Sequence, residues 1–230
     1  MIEEKEKKFR DIQTEYDRIF QTEPIRDDDR GYRWHARQLL KAKNNPRSIL
    51  DLACGGGFFL KELLDSSAGG EIRTTGIDLS NEALELARKH CPSAQWILGV
   101  GEALPFRAGT FDAITCLGSL EHFLDVGEAI REMKRVSNPE AVFYILVPNL
   151  FWYKDLAAVL FTGGRKSRNQ THERFATLEE WKELLQNGGL RVERTLKYNG
   201  IAKASLKQRL KDLLIPLRFS YHFVFICSAA

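Results

Sequence analysis

The stretch Ile49-Leu50-Asp51-Leu52-Ala53-Cys54-Gly55-Gly56-Gly57-Phe58-Phe59-Leu60 constrains this chain more than any other. A short apolar run carries an acid near its tip and meets three consecutive glycines, which predicts a strand, a tight loop and a helix. Ile49 to Leu52 suits a strand buried on both faces of a parallel sheet. The glycines let the backbone turn sharply and come close to a ligand. Phe59, Leu60, Leu63 and Leu64 then continue at helical spacing. In an open α/β sheet such a loop lies outside the carboxyl ends of the strands, where a nucleotide-like cofactor binds.

The dinucleotide fingerprint requires a third glycine where Leu60 stands. Asp51, four residues before Gly55, would oppose a pyrophosphate but favour an ammonium or a sulfonium. At these residues the chain resembles the class I S-adenosylmethionine-dependent methyltransferases of the small-molecule type, such as the ubiquinone and menaquinone methyltransferases. Their first motif places an acid, three residues and then Gly-x-Gly after a hydrophobic strand. The resemblance implies S-adenosylmethionine as cofactor, held by Asp51, Ala53, Gly55 and Gly57. It also implies an α/β fold with a doubly wound, mostly parallel seven-stranded sheet whose last strand is antiparallel. An NAD(P)-dependent oxidoreductase on a similar sheet stays open as an alternative, as does a protein that binds S-adenosylmethionine without transferring its methyl.

Asp78 ends the strand pattern Ile72 to Ser80, 21 residues beyond Gly57, where an acid accepts hydrogen bonds from a ribose diol. Ser80 is a good N-cap for a helix Asn81 to His90. Arg88, Lys89 and His90 complement the dipole at its end, and Pro92 stops it. The segment Gly99 to Phe106 resembles the family's adenine-side loop, Gly-Asp-Ala-Glu-x-Leu-Pro-Phe, with Val100 and Gly101 in place of the Asp and Ala. Adenine recognition then falls to the backbone N–H of Gly101 or Glu102, to Ala103 in the same loop, and to packing by Leu79 and Leu104. Glu102 is the substitute acceptor. Beyond the strand Phe111 to Cys116 the resemblance assigns the methionine part of the cofactor to Cys116 and Leu117. Glu121 and His122 follow at the same mouth, and His is the side chain suited to taking an acceptor's proton near neutral pH.

Strand and helix alternate from Ile49 through a helix at Gly127 to Val136, a turn at Ser137-Asn138-Pro139 and a strand at Ala141 to Val147. That alternation argues for a parallel sheet covered on both faces. The pattern breaks over residues 149–175, an insertion with Phe151-Trp152-Tyr153 and the basic run Arg165-Lys166-Ser167-Arg168, which is the candidate for substrate selection. At its tail His172 and Glu173 form a second candidate acid/base pair, and Arg174 suits an anionic group. Thr177 and Glu180 make a capping box. Strands follow at Leu190 to Leu196 and Ser220 to Cys227, the latter in a seventh position of the sheet. Residues 1–46 precede the glycine strand. Phe9, Ile12, Tyr16, Ile19 and Phe20 recur at helical intervals, and Trp34, Leu39 and Leu40 suggest a second helix. Two domains are expected: an N-terminal helical lid, 1–46, with Tyr16, Arg33 and Trp34 facing the cavity, and a methyltransferase domain, 47–230.

An apolar content of 43% and a charged content of 28% suit a soluble globular protein. A net charge of +3 gives no reason to expect a nucleic-acid partner. The four cysteines are scattered, so neither a metal site nor a disulfide framework is expected. Met1 to Arg10 lacks the apolar core of a secretory signal, and no apolar run reaches the ~20 residues of a membrane span, which predicts a cytoplasmic protein. The leucines of 203–218 fall on one helical face among lysines, which either packs on the domain or makes weak contact with a membrane surface. The expected activity is methyl transfer to a small-molecule, glycan or lipid-linked acceptor at oxygen. In-line transfer of this kind requires no metal.

Overall fold

The computed structural model describes residues 2–22, 28–67, 71–162, 174–200 and 214–230. Seven strands form one sheet: β1 Ser48–Leu52, β2 Arg73–Asp78, β3 Gln95–Leu98, β4 Phe111–Leu117, β5 Ser137–Pro148, β6 Leu190–Tyr198 and β7 His222–Ala229. Their order is β3-β2-β1-β4-β5-β7-β6. All neighbours from β3 to β5 are parallel, while β7 runs antiparallel to both β5 and β6. The final strand is seventh in the chain and lies in the sixth place of the sheet. The order reverses direction between β1 and β4, so the carboxyl ends of those strands open the crevice that binds ligands in such folds.

Side chains alternate across each strand, and the two faces carry separate cores. Leu50, Leu52, Ile114 and Cys116 pack against Ile130 and Met133 of α5 (Val126–Val136) and against Trp181 and Leu185 of α7 (Leu178–Asn187). On the other face Ile49, Ala113 and Tyr144 meet Ala36 and Leu39 of α2 (Asp29–Ala42) and Phe59 and Leu63 of α3 (Phe58–Ser66). Helix α1, Ile2–Thr22, instead packs on α4, Asn81–His90.

Local signals set most boundaries. Ser80 caps α4 by accepting from Ala83 N at 3.1 Å, and the capping box of Thr177 and Glu180 starts α7. The expected turn at Ser137-Asn138-Pro139 is absent. Instead β5 begins directly at Ser137, which pairs with Phe111, and the register shifts between Phe111 and Ala113. That irregularity accommodates Pro139, which has no N–H for a regular ladder, and Asn138 Nδ2 donates to Asp112 Oδ1 at 2.5 Å across it.

The insertion begins with α6, Tyr153–Thr162, and its tail returns at Arg174, whose N–H donates to Glu121 O at 2.9 Å. The basic run 165–168, His172 and Glu173 lie outside the described residues, as does most of 203–218. Within the latter, Leu217 joins a short 3-10 turn, Leu217–Phe219, and packs against the first core. No described helix is long and apolar enough to cross a membrane.

Candidate active site

The loop after β1 is shaped by backbone conformation. Ala53, Gly55 and Gly57 all have positive φ, at 50°, 51° and 74°. Glycine adopts that region freely, whereas Ala53 does so under strain of order 1 kcal/mol or more. Strain of this kind concentrates at ligand sites. Asp78 holds the loop from the next strand: its Oδ2 accepts from Gly55 N at 2.8 Å and its Oδ1 from Ser80 N at 2.9 Å. His90, at the end of α4, lies 3.0 Å through Nδ1 from Gly56 O and packs at a tilt against Phe58. The last turn of α4 thus braces the glycine loop, a contact beyond the helix-dipole role that its sequence suggests.

These elements bound a cavity of about 1100 Å³, measured out to its open mouth. Asp51, Ala53, Gly55, Asp78, Leu79, Gly101, Glu102 and Leu117 line it, as does His122. Three of the expected contacts stand elsewhere. Gly57 faces α4 and β3, where a Cβ would meet Trp96 and Ala87. Cys116 is fully buried in the first core, and Ala103 is exposed in the loop with its N–H turned to Val100 O. Leu104 is likewise in the core, pinned by Glu132 and Arg135 of α5. Glu102 lines the cavity in place of the missing aspartate, with its Oε1 accepting from Leu124 N at 2.9 Å and Asp125 N at 3.3 Å. The rest of the adenine end is apolar, with Ile77, Leu79, Val100, Phe123 and Leu124.

The N-terminal helix supplies the remaining wall. Phe9, Ile12, Tyr16 and Phe20 line the cavity, and Phe20 lies against Gly55, where an added Cβ would come within 3.3 Å of its ring. A side chain at Gly55 would thus strike α1 as well as the ligand's space. Tyr16 meets the His122 ring edge-on at 6.4 Å between centroids. Arg33 and Trp34 are not in the cavity: Arg33 donates to Glu62 of α3, and Trp34 stacks on Tyr198 of β6. Tyr32, Phe58 and Phe123 line it without having been singled out in the sequence. Tyr32 stacks on Phe58 at 6.1 Å, so α2 and α3 share one aromatic edge.

The electrostatics favour a cation. Asp51, Asp78 and Glu102 all face the cavity, and among its described lining residues there is no Lys or Arg. Burial pushes Asp51 up to about 7, against the pull of its Thr115 hydrogen bond, and the charge of Asp78 adds to the rise. Asp78 is also raised by burial, opposed by its backbone amides. Unlike a pyrophosphate, a ligand bearing an ammonium and a sulfonium would compensate these acids. The residues present therefore fit S-adenosylmethionine: Asp51 would face its ammonium, Asp78 its ribose diol, and the apolar end its purine.

A doubly wound sheet of this order, with an acid-flanked glycine loop at its crevice, defines the class I methyltransferase type of Rossmann-like fold. Residues 50–145 match the family model described as a methyltransferase domain. The chain is 35% identical over 115 residues to the demethylmenaquinone methyltransferase of Thermotoga maritima, covering 50% of this chain and 49% of that protein. It is 38% identical over 95 residues to the 2-phytyl-1,4-naphtoquinone methyltransferase of Thermosynechococcus vestitus, covering 40% and 42%. The ubiquinone biosynthesis O-methyltransferase of Albidiferax ferrireducens is 35% identical over 99 residues, covering 40% and 38%. The chain thus spans about half the length of the curated relatives it matches or less. A SAM-dependent methyltransferase from Aquifex aeolicus superposes with a TM-score of 0.61 at 17% identity, over 85% of this chain and 89% of that one. The cyclase SpnF superposes at 0.63 and 17% identity, over 87% and 81%, so the fold by itself does not decide the reaction. Over residues 50–145 the chain thus matches a methyltransferase domain on a Rossmann-like methyltransferase fold, and S-adenosylmethionine is the cofactor that this match implies and the cavity fits.

Proposed function

We propose that the protein methylates a hydroxyl of a flat, apolar phenol or quinol. The observation that carries this reading is the aromatic wall of α1 beside His122, in the same cavity as Asp51 and Asp78. Rings such as Phe9, Tyr16 and Phe20 favour a planar apolar acceptor through burial and edge or offset stacking. The names of three relatives support a quinone-related acceptor, and of these the ubiquinone biosynthesis O-methyltransferase alone supports transfer to oxygen. Glycan and lipid-precursor headgroups, rich in hydroxyls, fit such a wall less well.

Bound S-adenosylmethionine supplies an electrophilic methyl group. Asp78 and the glycine loop hold and orient the ribose, while Asp51 compensates the ammonium. The aromatic side chains exclude water, which strengthens these interactions. His122 takes the hydroxyl proton as the oxygen attacks, with Tyr16 against its ring limiting the imidazole's orientation. Glu121, buried beside His122, is the second candidate, and the tail of the insertion is tied to it through Arg174 N. His172 is kept as an alternative base on sequence grounds alone.

The test is methyl transfer from labelled S-adenosylmethionine to a panel of demethylated quinols and simple phenols, with the position of the methyl read by NMR. His122→Ala is expected to lower kcat by about 100-fold or more while S-adenosylhomocysteine affinity stays within about two-fold, because His122 meets none of the atoms assigned to cofactor recognition. A methyl found on carbon would overturn the assignment to oxygen. Wild-type turnover by the variant would remove His122 as base.

A further inference from the structure

Asp51 is 3% exposed and lines the cavity, and its one side-chain hydrogen bond among the described residues is to Thr115 Oγ1, at 2.5 Å from Oδ1. Thr115 lies directly beside it in the register of β1 and β4 and is fully buried. Its hydroxyl has a second acceptor within reach, Leu50 O at 3.4 Å. One hydroxyl carries one hydrogen and accepting lone pairs, so the pair is satisfied in two ways. With Asp51 ionised, Thr115 donates to the carboxylate. With Asp51 protonated, the carboxyl donates to Oγ1 and the threonine hydrogen turns to Leu50 O.

We propose that Thr115 is a positioning residue that lets Asp51 stand protonated in the free protein and ionised around the cofactor's ammonium, so that cofactor binding releases a proton. The step balances: the carboxyl O–H bond breaks, its proton passes to solvent buffer, and an N–H···O contact from the ammonium replaces it.

The surroundings support both states. From β2 comes Asp78, an acid; from the glycine loop comes Cys54, whose thiol is kept protonated far above its ordinary range by burial and by the two acids. Glu102, His122 and Tyr16 face the same cavity from the loop after β3, the turn after β4 and α1, and Glu121 is buried next to His122. Among the described lining residues there is no Lys or Arg, so the Thr115 hydrogen bond, and no cationic side chain among them, favours ionised Asp51 before a cation arrives. Burial raises Asp51 to about 7, within reach of ordinary buffers.

This inference rests on the cofactor assignment, and the experiment separates the two. S-adenosylhomocysteine and 5′-methylthioadenosine, which lacks the amino acid, are titrated calorimetrically at about pH 6 in two buffers of different ionisation enthalpy. Release of about one proton per S-adenosylhomocysteine is expected, and none for methylthioadenosine. Affinity for S-adenosylhomocysteine should climb nearly ten-fold per pH unit below about 6.5, level off above 7, and fall again only at higher, alkaline pH as the ligand's own amine deprotonates. Methylthioadenosine should bind equally across that range. Thr115→Val keeps the side-chain shape and should move the rising limb to higher pH, while Thr115→Ser should restore it. S-adenosylhomocysteine binding without proton release, equal release with methylthioadenosine, or a Thr115→Val curve that overlays wild type would each overturn the proposal. If Thr115→Val does not fold, the wild-type proton count and the Thr115→Ser profile decide alone. Binding of neither ligand at any pH would instead sink the cofactor assignment, and the proposal with it.

Discussion

Keeping a carboxyl group at the end of a buried strand destabilises the free protein over a defined pH window. Asp51 holds its proton more tightly in the fold than in the unfolded chain, where a carboxyl titrates near 3.8. The folded state therefore carries the extra proton between that value and about 7. Stability from this group is complete below the lower value and is lost as pH rises through the upper one, a change of order 4 kcal/mol. Asp51→Asn should flatten that decline, raising the melting temperature at about pH 8 while weakening S-adenosylhomocysteine binding. A variant whose melting temperature falls with pH as steeply as wild type would show that the cost lies in another residue. Asp51 and Asp78 were legible because acids at strand ends beside glycines have few other uses. Thr115 was not, since its role depends on which strand lies next to β1. Nor was the occupation of Glu102 by the amides of Leu124 and Asp125, a contact fixed only by the path of the loop.

At the scale of elements the N-terminal helix matters most. Asp17 accepts from Ser80 Oγ at 2.6 Å and from Glu82 N at 3.3 Å, and Gln21 Nε2 donates to Glu82 Oε1 at 2.9 Å. A carboxylate at the start of α4 is stabilised there by the helix dipole, so these bonds hold α1 over the cavity. Asp17→Ala should cost about 1 kcal/mol of that attachment, read as roughly five-fold faster dissociation of S-adenosylhomocysteine in stopped-flow fluorescence. Unchanged dissociation would mean that the aromatic contacts alone keep α1 in place. The periodicity of Phe9, Ile12, Tyr16 and Phe20 was plain in the sequence, but an amphipathic stripe does not state what it covers. For α2 it is the sheet, with Trp34 drawn to Tyr198 of β6 and Arg33 to Glu62 of α3. For α1 it is the cavity.

For the whole molecule, the fold from β1 to β5 was readable because buried parallel strands are continuous apolar runs and the helices between them carry clear caps. After β5 the signals thin out. The strand at 137–148 absorbs a proline that reads as a turn, and the tail of the insertion reaches Glu121 through a backbone bond that no side-chain pattern announces. The placement of β7 has a further consequence. Because β7 separates β5 from β6, the apolar edge Phe143 to Pro148 has no sheet partner among the described residues until residues 222–229 have been made, and β6 pairs with no other described strand. An unpaired, strongly apolar edge strand is a template for association between chains. A chain ending at Ser220 should therefore aggregate on expression, with light scattering appearing as the chain is released, whereas a soluble monomer would show that the edge is protected by other means. Synthesis of this protein thus carries a period of exposure that ends only when its penultimate place in the sheet is filled, and holdase chaperones that bind extended apolar segments have an obvious target in β5.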